Sequence, residues 1–172
     1  MKVTGFQIMD RIVALREQSQ TLNSQFTTSL YHFEKEVAEK PDPRVLMTTY
    51  LDNERKVALL QEAQAAYNLK VIVEVLDEKM SLQNAVKLIG SVTRVKNNWL
   101  AASKPNTDAN SYASYYQMVR DKENEYAQRA VGVEECLRLS NEAADLMAAL
   151  KQAIRSGNAA EIELEIDPSL FR

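Results

Sequence analysis

The feature that most constrains the fold is a run of apolar residues that recurs every third or fourth position from Ile8 to Val37. Only a helix places residues at this spacing on one face. The members of the run, all apolar except Ser19, are Ile8, Ile12, Leu15, Ser19, Leu22, Phe26, Leu30, Phe33 and Val37. Pro41 and Pro43 disfavour a helical backbone before them, so the pattern predicts a long amphipathic helix that ends near Lys40.

A second helix is predicted directly after these prolines. Asp42 is a residue type that caps helices, and Pro43 suits the first helical position. The apolar positions that follow at helical spacing are Leu46, Tyr50, Val57, Leu60 and Ala63. We therefore expect a helix from Pro43 to about Tyr67, antiparallel to the first, and a helical hairpin over residues 4–67.

Two short segments, at about 69–76 and at 161–166, alternate in the manner of strands. Their inward candidates are Val71, Val73 and Val75 in the first and Ile162, Leu164 and Ile166 in the second. Each segment follows a helical pair, so we expect the two to pair as one antiparallel ribbon at an end of the bundle. The residues Asp77, Glu78 and Lys79 are predicted to form the turn after the first strand.

The second half of the chain predicts another helical hairpin, over residues 81–156. Ser81 is a suitable cap for a third helix that reaches about Ser103. Residues 104–111 are rich in turn formers and predict a loop. A final helical stretch extends from about Tyr112 to Arg155, and whether 112–129 is continuous helix stays open. Its apolar and small residues lie near the heptad spacing of coiled coils, at Tyr126, Ala130, Val133, Leu137, Ser140, Ala144, Met147 and Ile154, with Gly157 placed to end the helix.

Composition favours one mainly α-helical domain over residues 1–172. Apolar residues make up 45% of the chain and charged residues 26%, which fits a folded globule. No apolar run is long enough to cross a bilayer, and the start lacks the pattern of a secretion signal, so we expect a cytoplasmic protein. Cys136 and His32 are the only cysteine and histidine, which leaves no zinc set, and no other metal or cofactor is expected.

The predicted third helix is basic although the net charge of the chain is -3. Residues 81–104 contain four basic and no acidic side chains, so they either complement acidic neighbouring helices or attract an anionic ligand. Lys87, Ser91, Arg94 and Asn98 form one polar stripe of this helix. Such a stripe is either a solvated face or a place for a phosphate group. Nucleic acid is not expected as a partner, because the chain is acidic and has no recognisable reading motif.

Two further features bear on ligand binding. Lys96 lies among the apolar positions of the helix and outside the stripe. Three interpretations stay open: it pairs with an acidic residue such as Glu134 or Glu142, its ammonium group reaches solvent near the helix end, or it contacts a ligand. Tyr112, Tyr115 and Tyr116 cluster after the predicted loop, where they pack against another helix or stack on a base. The candidate ligand-binding residues are Lys87, Arg94, Lys96, Asn98, Tyr112, Tyr115 and Tyr116.

Part of the sequence resembles the septicolysin-like family of small bacterial helical proteins. The matching segments are residues 66–69, with Asn68 closing a helix, and residues 80–86, where Ser81, Leu82, Ala85 and Val86 open the next one. The family tends to carry an Arg-Asp pair inside the third helix where this chain has Ile89 and Gly90. The resemblance implies a helical fold and self-association, and it implies no particular chemistry.

Glycine-rich phosphate loops, paired catalytic carboxylates and nucleophile elbows are all missing from the sequence. We therefore expect a non-enzymatic cytoplasmic protein that self-associates and serves as an interaction or scaffold module. The alternative is an oligomeric protein that binds or sequesters a small anionic ligand, for example a nucleotide-like one, at a subunit interface.

Overall fold

The computed structural model describes residues 1–31, 40–104 and 130–171. Its helices are α1 (Gly5–Ser29), α2 (Pro43–Lys70), α3 (Leu82–Ala102) and α4 (Val133–Ala159), followed by a 3-10 turn (Pro168–Phe171). Its strands are β1 (Lys2–Val3), β2 (Ile72–Val75), β3 (Glu78–Ser81) and β4 (Ile162–Glu163). Because α1 packs along α2 and α3 along α4, the prediction of a mainly helical fold with two helical pairs is confirmed.

The helix starts follow from local capping. Asp42 accepts a hydrogen bond from the Arg44 amide at 2.8 Å, and Pro43 occupies the first turn of α2. Ser81 accepts one from the Asn84 amide at 3.2 Å at the start of α3. Both predicted caps are therefore confirmed, because these side-chain oxygens satisfy amides that have no partner inside the helix. At α1, Thr4 forms a capping box with Gln7, which the sequence analysis had not identified.

The predicted pairing of the two alternating segments is wrong. Residues 69 and 70 belong to α2, and β2 pairs antiparallel with β3 through the two-residue turn Leu76–Asp77. The segment at 161–166 contributes only β4, which pairs with β1 at the start of the chain. Each strand thus pairs with a partner that the pattern had not marked as a strand. Glu78 and Lys79, expected in the turn, are strand residues opposite Val75 and Glu74.

The final helix starts and ends later than predicted and faces its neighbours differently. It begins at Val133, because residues 130–132 are not helical, so the helical stretch predicted from about Tyr112 to Arg155 is interrupted there. It continues through Gly157 to Ala159, so Gly157 does not end it. Leu137 is exposed, and Ala144, Met147 and Ile154 are only half-buried. The residues that α4 buries are Cys136, Ser140, Ala143, Leu150, Ala153 and Gly157. These are mostly small, because the helix approaches its neighbours closely on this side.

Both helical pairs contribute to one core where they meet, beside the strands. Val71, Val73 and Val75 face into this core, as predicted for that side of the first strand. Tyr67 is fully buried, and its one hydroxyl proton is shared between the carbonyls of Gly157, at 2.6 Å, and Ala160, at 2.5 Å. This side chain therefore joins the C-terminal end of α2 to the C-terminal end of α4.

Several predictions fall outside the described residues. These are residues 32–39, most of the predicted loop at 104–111, and the stretch from Tyr112 to Arg129. The predicted end of the first helix near Lys40 is wrong, because α1 ends at Ser29, with Leu30 as its C-cap. None of the described helices is both long enough and apolar enough to cross a membrane.

Candidate functional site

The polar stripe of α3 lies on an exposed face, as its spacing predicted. Lys87, Ser91, Arg94 and Asn98 are all exposed. The Arg94 guanidinium donates to the Ser91 hydroxyl at 3.1 Å. Lys87 and Ser91 line a shallow depression of about 400 Å³ together with Met80, Asn84 and Leu88. The stripe therefore presents cations beside a small apolar floor, which an anionic group can approach from solvent.

Lys96 lies on another face of α3 from this stripe and is half-buried. Its carbonyl accepts a hydrogen bond from Ser140 of α4 at 3.2 Å. Among the described carboxylates, neither Glu134 nor Glu142 forms an ion pair with Lys96, and Glu142 pairs with Arg138 instead. The structure thus separates Lys96 from the Lys87 and Arg94 face of the helix. Tyr112, Tyr115 and Tyr116, the other predicted ligand contacts, lie outside the described residues.

Arg138 organises the exposed charges at the start of α4. It hydrogen-bonds Glu135 at 2.5 Å and also pairs with Glu142, one turn further along the helix. The hydrogen bond from Arg138 holds the pKa of the Glu135 carboxyl below its ordinary value, and Glu135 in turn raises the pKa of Arg138. These are pairs within one helix at the protein surface, where an individual pair contributes little to stability. We assign them a role in the helix and none in a ligand site.

A second apolar row on α1 was missed by the sequence analysis. Phe6, Met9 and Val13 are spaced by three and four residues, and they are 37%, 40% and 51% exposed. The first seam faces α2, whereas this row faces away from it. The spacing is visible in the sequence, but hydropathy alone cannot say which of two apolar rows a single partner helix will cover. On α3, Leu88 and Val95 are also exposed apolar residues, with 37% and 47% of their surface accessible to solvent, and they are seven residues apart.

The outer half of the α1 and α2 pair has little core of its own. Beyond Leu15, the described part of α1 buries only Ser19 and Ser29, and the first half of α2 buries Leu46 and Asn53. The Ser19 hydroxyl is buried and has no hydrogen-bond partner among the described residues. Two helices that pack only on each other leave most of their surface to solvent. Such a pair gains stability when a further helix covers it.

Within the described ranges, no three His, Cys, Asp or Glu side chains lie close enough together to hold a metal ion. Comparison with known proteins adds no functional residues, since no family model, no curated protein and no solved structure matches the chain.

Proposed function

We propose that this protein acts through association with copies of itself, as a non-enzymatic interaction or scaffold module built on its helical pairs. The observation that carries the proposal is the row Phe6, Met9 and Val13, which α1 exposes on the face turned away from α2. Similar rows on two copies can cover each other in a coiled-coil-like arrangement, since their spacing matches that of helix interfaces. The resemblance to the septicolysin-like family implies self-association as well.

The magnitude of this effect points to a weak complex. Full burial of one such side chain stabilises by roughly 1.5–3 kcal/mol, so covering the remaining half contributes about 1 kcal/mol each. Three residues on each of two copies then contribute roughly 6 kcal/mol before the cost of association is subtracted. A micromolar complex needs roughly 8 kcal/mol after this cost is subtracted, so the row on α1 is not sufficient alone and other exposed apolar residues must contribute several kcal/mol more. We expect an affinity in the micromolar range or weaker.

The test compares two substitutions on the same face of α1. Val13→Glu places a charge in the apolar row, and Gln20→Glu places the same charge seven residues further along, where the native side chain is already polar and exposed. We expect Val13→Glu to weaken association at least about 30-fold, which corresponds to about 2 kcal/mol, and Gln20→Glu to leave it unchanged. Sedimentation equilibrium gives both values. Equal affinities for the two variants would contradict a role for this row.

A second candidate function is binding of a small anionic, nucleotide-like ligand on α3. It is supported by the depression beside Lys87, which has no acidic residue in its lining. Arg94 lies seven residues away on the same face, about 10 Å along the helix. A thermal-shift screen with inorganic phosphate and nucleotides should show stabilisation that Arg94→Glu abolishes. Absence of any shift across the panel would remove this candidate.

We also propose a cytoplasmic location. The motive is the cysteine content of the sequence, because a single Cys136 allows no disulfide within the chain, as is usual in reducing compartments. The Cys136 side chain is buried.

A further inference from the structure

Among the described residues, no strand pairs with the second edge of β2. Val75 and Glu78 flank the two-residue turn and so form a hydrogen-bonded pair with each other. Val73 has the same parity, as does Val71, whose carbonyl accepts from the Leu82 amide at 2.8 Å. The amides and carbonyls of Ile72 and Glu74 therefore point to the opposite edge. No described backbone group outside the hairpin bonds to them.

A groove of about 480 Å³ runs along this edge. One wall is the backbone from Val71 to Glu74. The other is the face of α4 that carries Ala149, Gln152, Ala153, Ser156 and Gly157, with Ala160 directly after the helix. No residue of β3 lines it, so the groove lies on the unpaired side of β2.

The groove offers a carboxylate and a row of backbone hydrogen-bonding groups to a bound molecule. Of the described residues that line it, Glu74 alone is charged. Lys79 lies opposite Glu74 on the paired side, so a basic side chain on the open side would place a cation on each flank of this carboxylate. The unpaired groups of Ile72 and Glu74 are two donors and two acceptors at strand spacing, which an extended backbone matches.

We propose that this groove binds an extended segment of a partner protein, which adds to β2 as a third strand and carries a lysine or arginine beside Glu74. The side chains of the added strand alternate between the α4 floor, where small or β-branched residues fit, and the solvent side, where the basic residue lies. This recognition is separate from the helical self-association proposed above and does not depend on it.

A second copy of this chain fits the groove less well. Pairing β2 with its symmetry mate would bring the strands within about 4.8 Å of each other. Because α4 lies along the open edge in each copy, the two α4 helices would also meet there, although packed helices need about 8–10 Å between their axes. A single extended segment brings no helix with it.

The experiment selects binders from a displayed library of random twelve-residue peptides against the full chain. We expect enriched peptides that alternate β-branched with polar residues and contain lysine or arginine. Glu74→Lys should weaken their binding at least tenfold. Ile72→Pro should do the same, because it removes an edge amide while Val71, at φ -76° and ψ 122°, already has a backbone that proline tolerates after it. Ile72→Thr keeps the amide and should bind as the native chain does.

Three results would overturn the proposal. The first is a selection that enriches no peptide. The second is enriched peptides that bind Ile72→Pro and Glu74→Lys as tightly as the native chain, with circular dichroism showing both variants folded. The third is a native oligomer that Ile72→Pro converts to monomer, since the edge would then be occupied by a second copy.

Discussion

The same substitution at two glycines should change stability in opposite directions. Gly90 and Gly157 both lie inside helices, α3 and α4, where alanine is favoured over glycine by roughly 0.5–1 kcal/mol. A Cβ added at Gly90 would find only the Arg94 guanidinium, at 3.9 Å. A Cβ added at Gly157 would lie 2.8 Å from Cγ1 of Val73 and 3.0 Å from Cδ1 of Leu82. The first site has room for a methyl group, and the second has none.

The expected magnitudes follow from these distances. Gly90→Ala should stabilise by the full helical preference, about 0.5–1 kcal/mol. At Gly157 the preference is the same, but overpacking of a well-packed core costs about 1–3 kcal/mol. Val73 and Leu82 are both buried, so neither can move aside freely. Gly157→Ala should therefore destabilise by roughly 0.5–2 kcal/mol.

Urea denaturation followed by far-ultraviolet circular dichroism, at one fixed protein concentration, measures both changes. A double-mutant cycle identifies the cause, because Val73→Ala removes the methyl group that the new Cβ would meet. Val73→Ala should therefore cost less stability in the Gly157→Ala chain than in the native chain. The reasoning is refuted if Gly157→Ala stabilises as much as Gly90→Ala does, since β2 would then not pack on α4 as described.

Three further predictions concern single side chains. Tyr67→Phe should lower the free energy of unfolding by about 1–2 kcal/mol, because the buried hydrogen bond from the Tyr67 hydroxyl to the carbonyls of Gly157 and Ala160 is lost; an unchanged urea midpoint would contradict this. Leu76 has a φ of 49°, unfavourable for leucine, so Leu76→Asn should stabilise by about 1 kcal/mol in the same assay, whereas destabilisation would argue against the turn. Arg138→Gln should return the pKa of Glu135 towards its ordinary value in an NMR titration. Arg138 lowers the pKa of Glu135 in the folded state, so the stabilisation from this pair is present above the unfolded-state pKa of Glu135 and is lost as pH falls through its folded-state pKa. A Glu135 carboxyl that titrates identically in the native and Arg138→Gln chains would show that Arg138 is not the cause.

The helices could be predicted because their signals are local. Periodicity located the seams, and Asp42 and Ser81 marked two helix starts through bonds to amides two or three residues away. The strand pairing could not be predicted in this way. The turn at Leu76 and Asp77 has positive φ at both residues, yet Leu76 is neither the glycine nor the asparagine that usually signals such a turn. Strand β1 has only two residues, which is too short for any pattern to appear.

The orientation of α4 shows a different limit. Hydropathy predicts that Leu137 and Met147 are buried, but a helix that packs closely on its neighbours buries small residues such as Ala143 and Ala153. Glycine often ends a helix, but Gly157 lies inside α4 and contacts Val73 of β2. At the candidate ligand site, spacing correctly placed Lys87 and Arg94 on one exposed face. The partner of Lys96 depends on how two helices pack, which spacing within one helix does not determine.

The mass of the native chain in solution decides whether this protein self-associates. We expect sedimentation equilibrium across the micromolar range to give a weight-average mass that rises with concentration above the 19.5 kDa of one chain. A constant mass of 19.5 kDa at every concentration would contradict self-association.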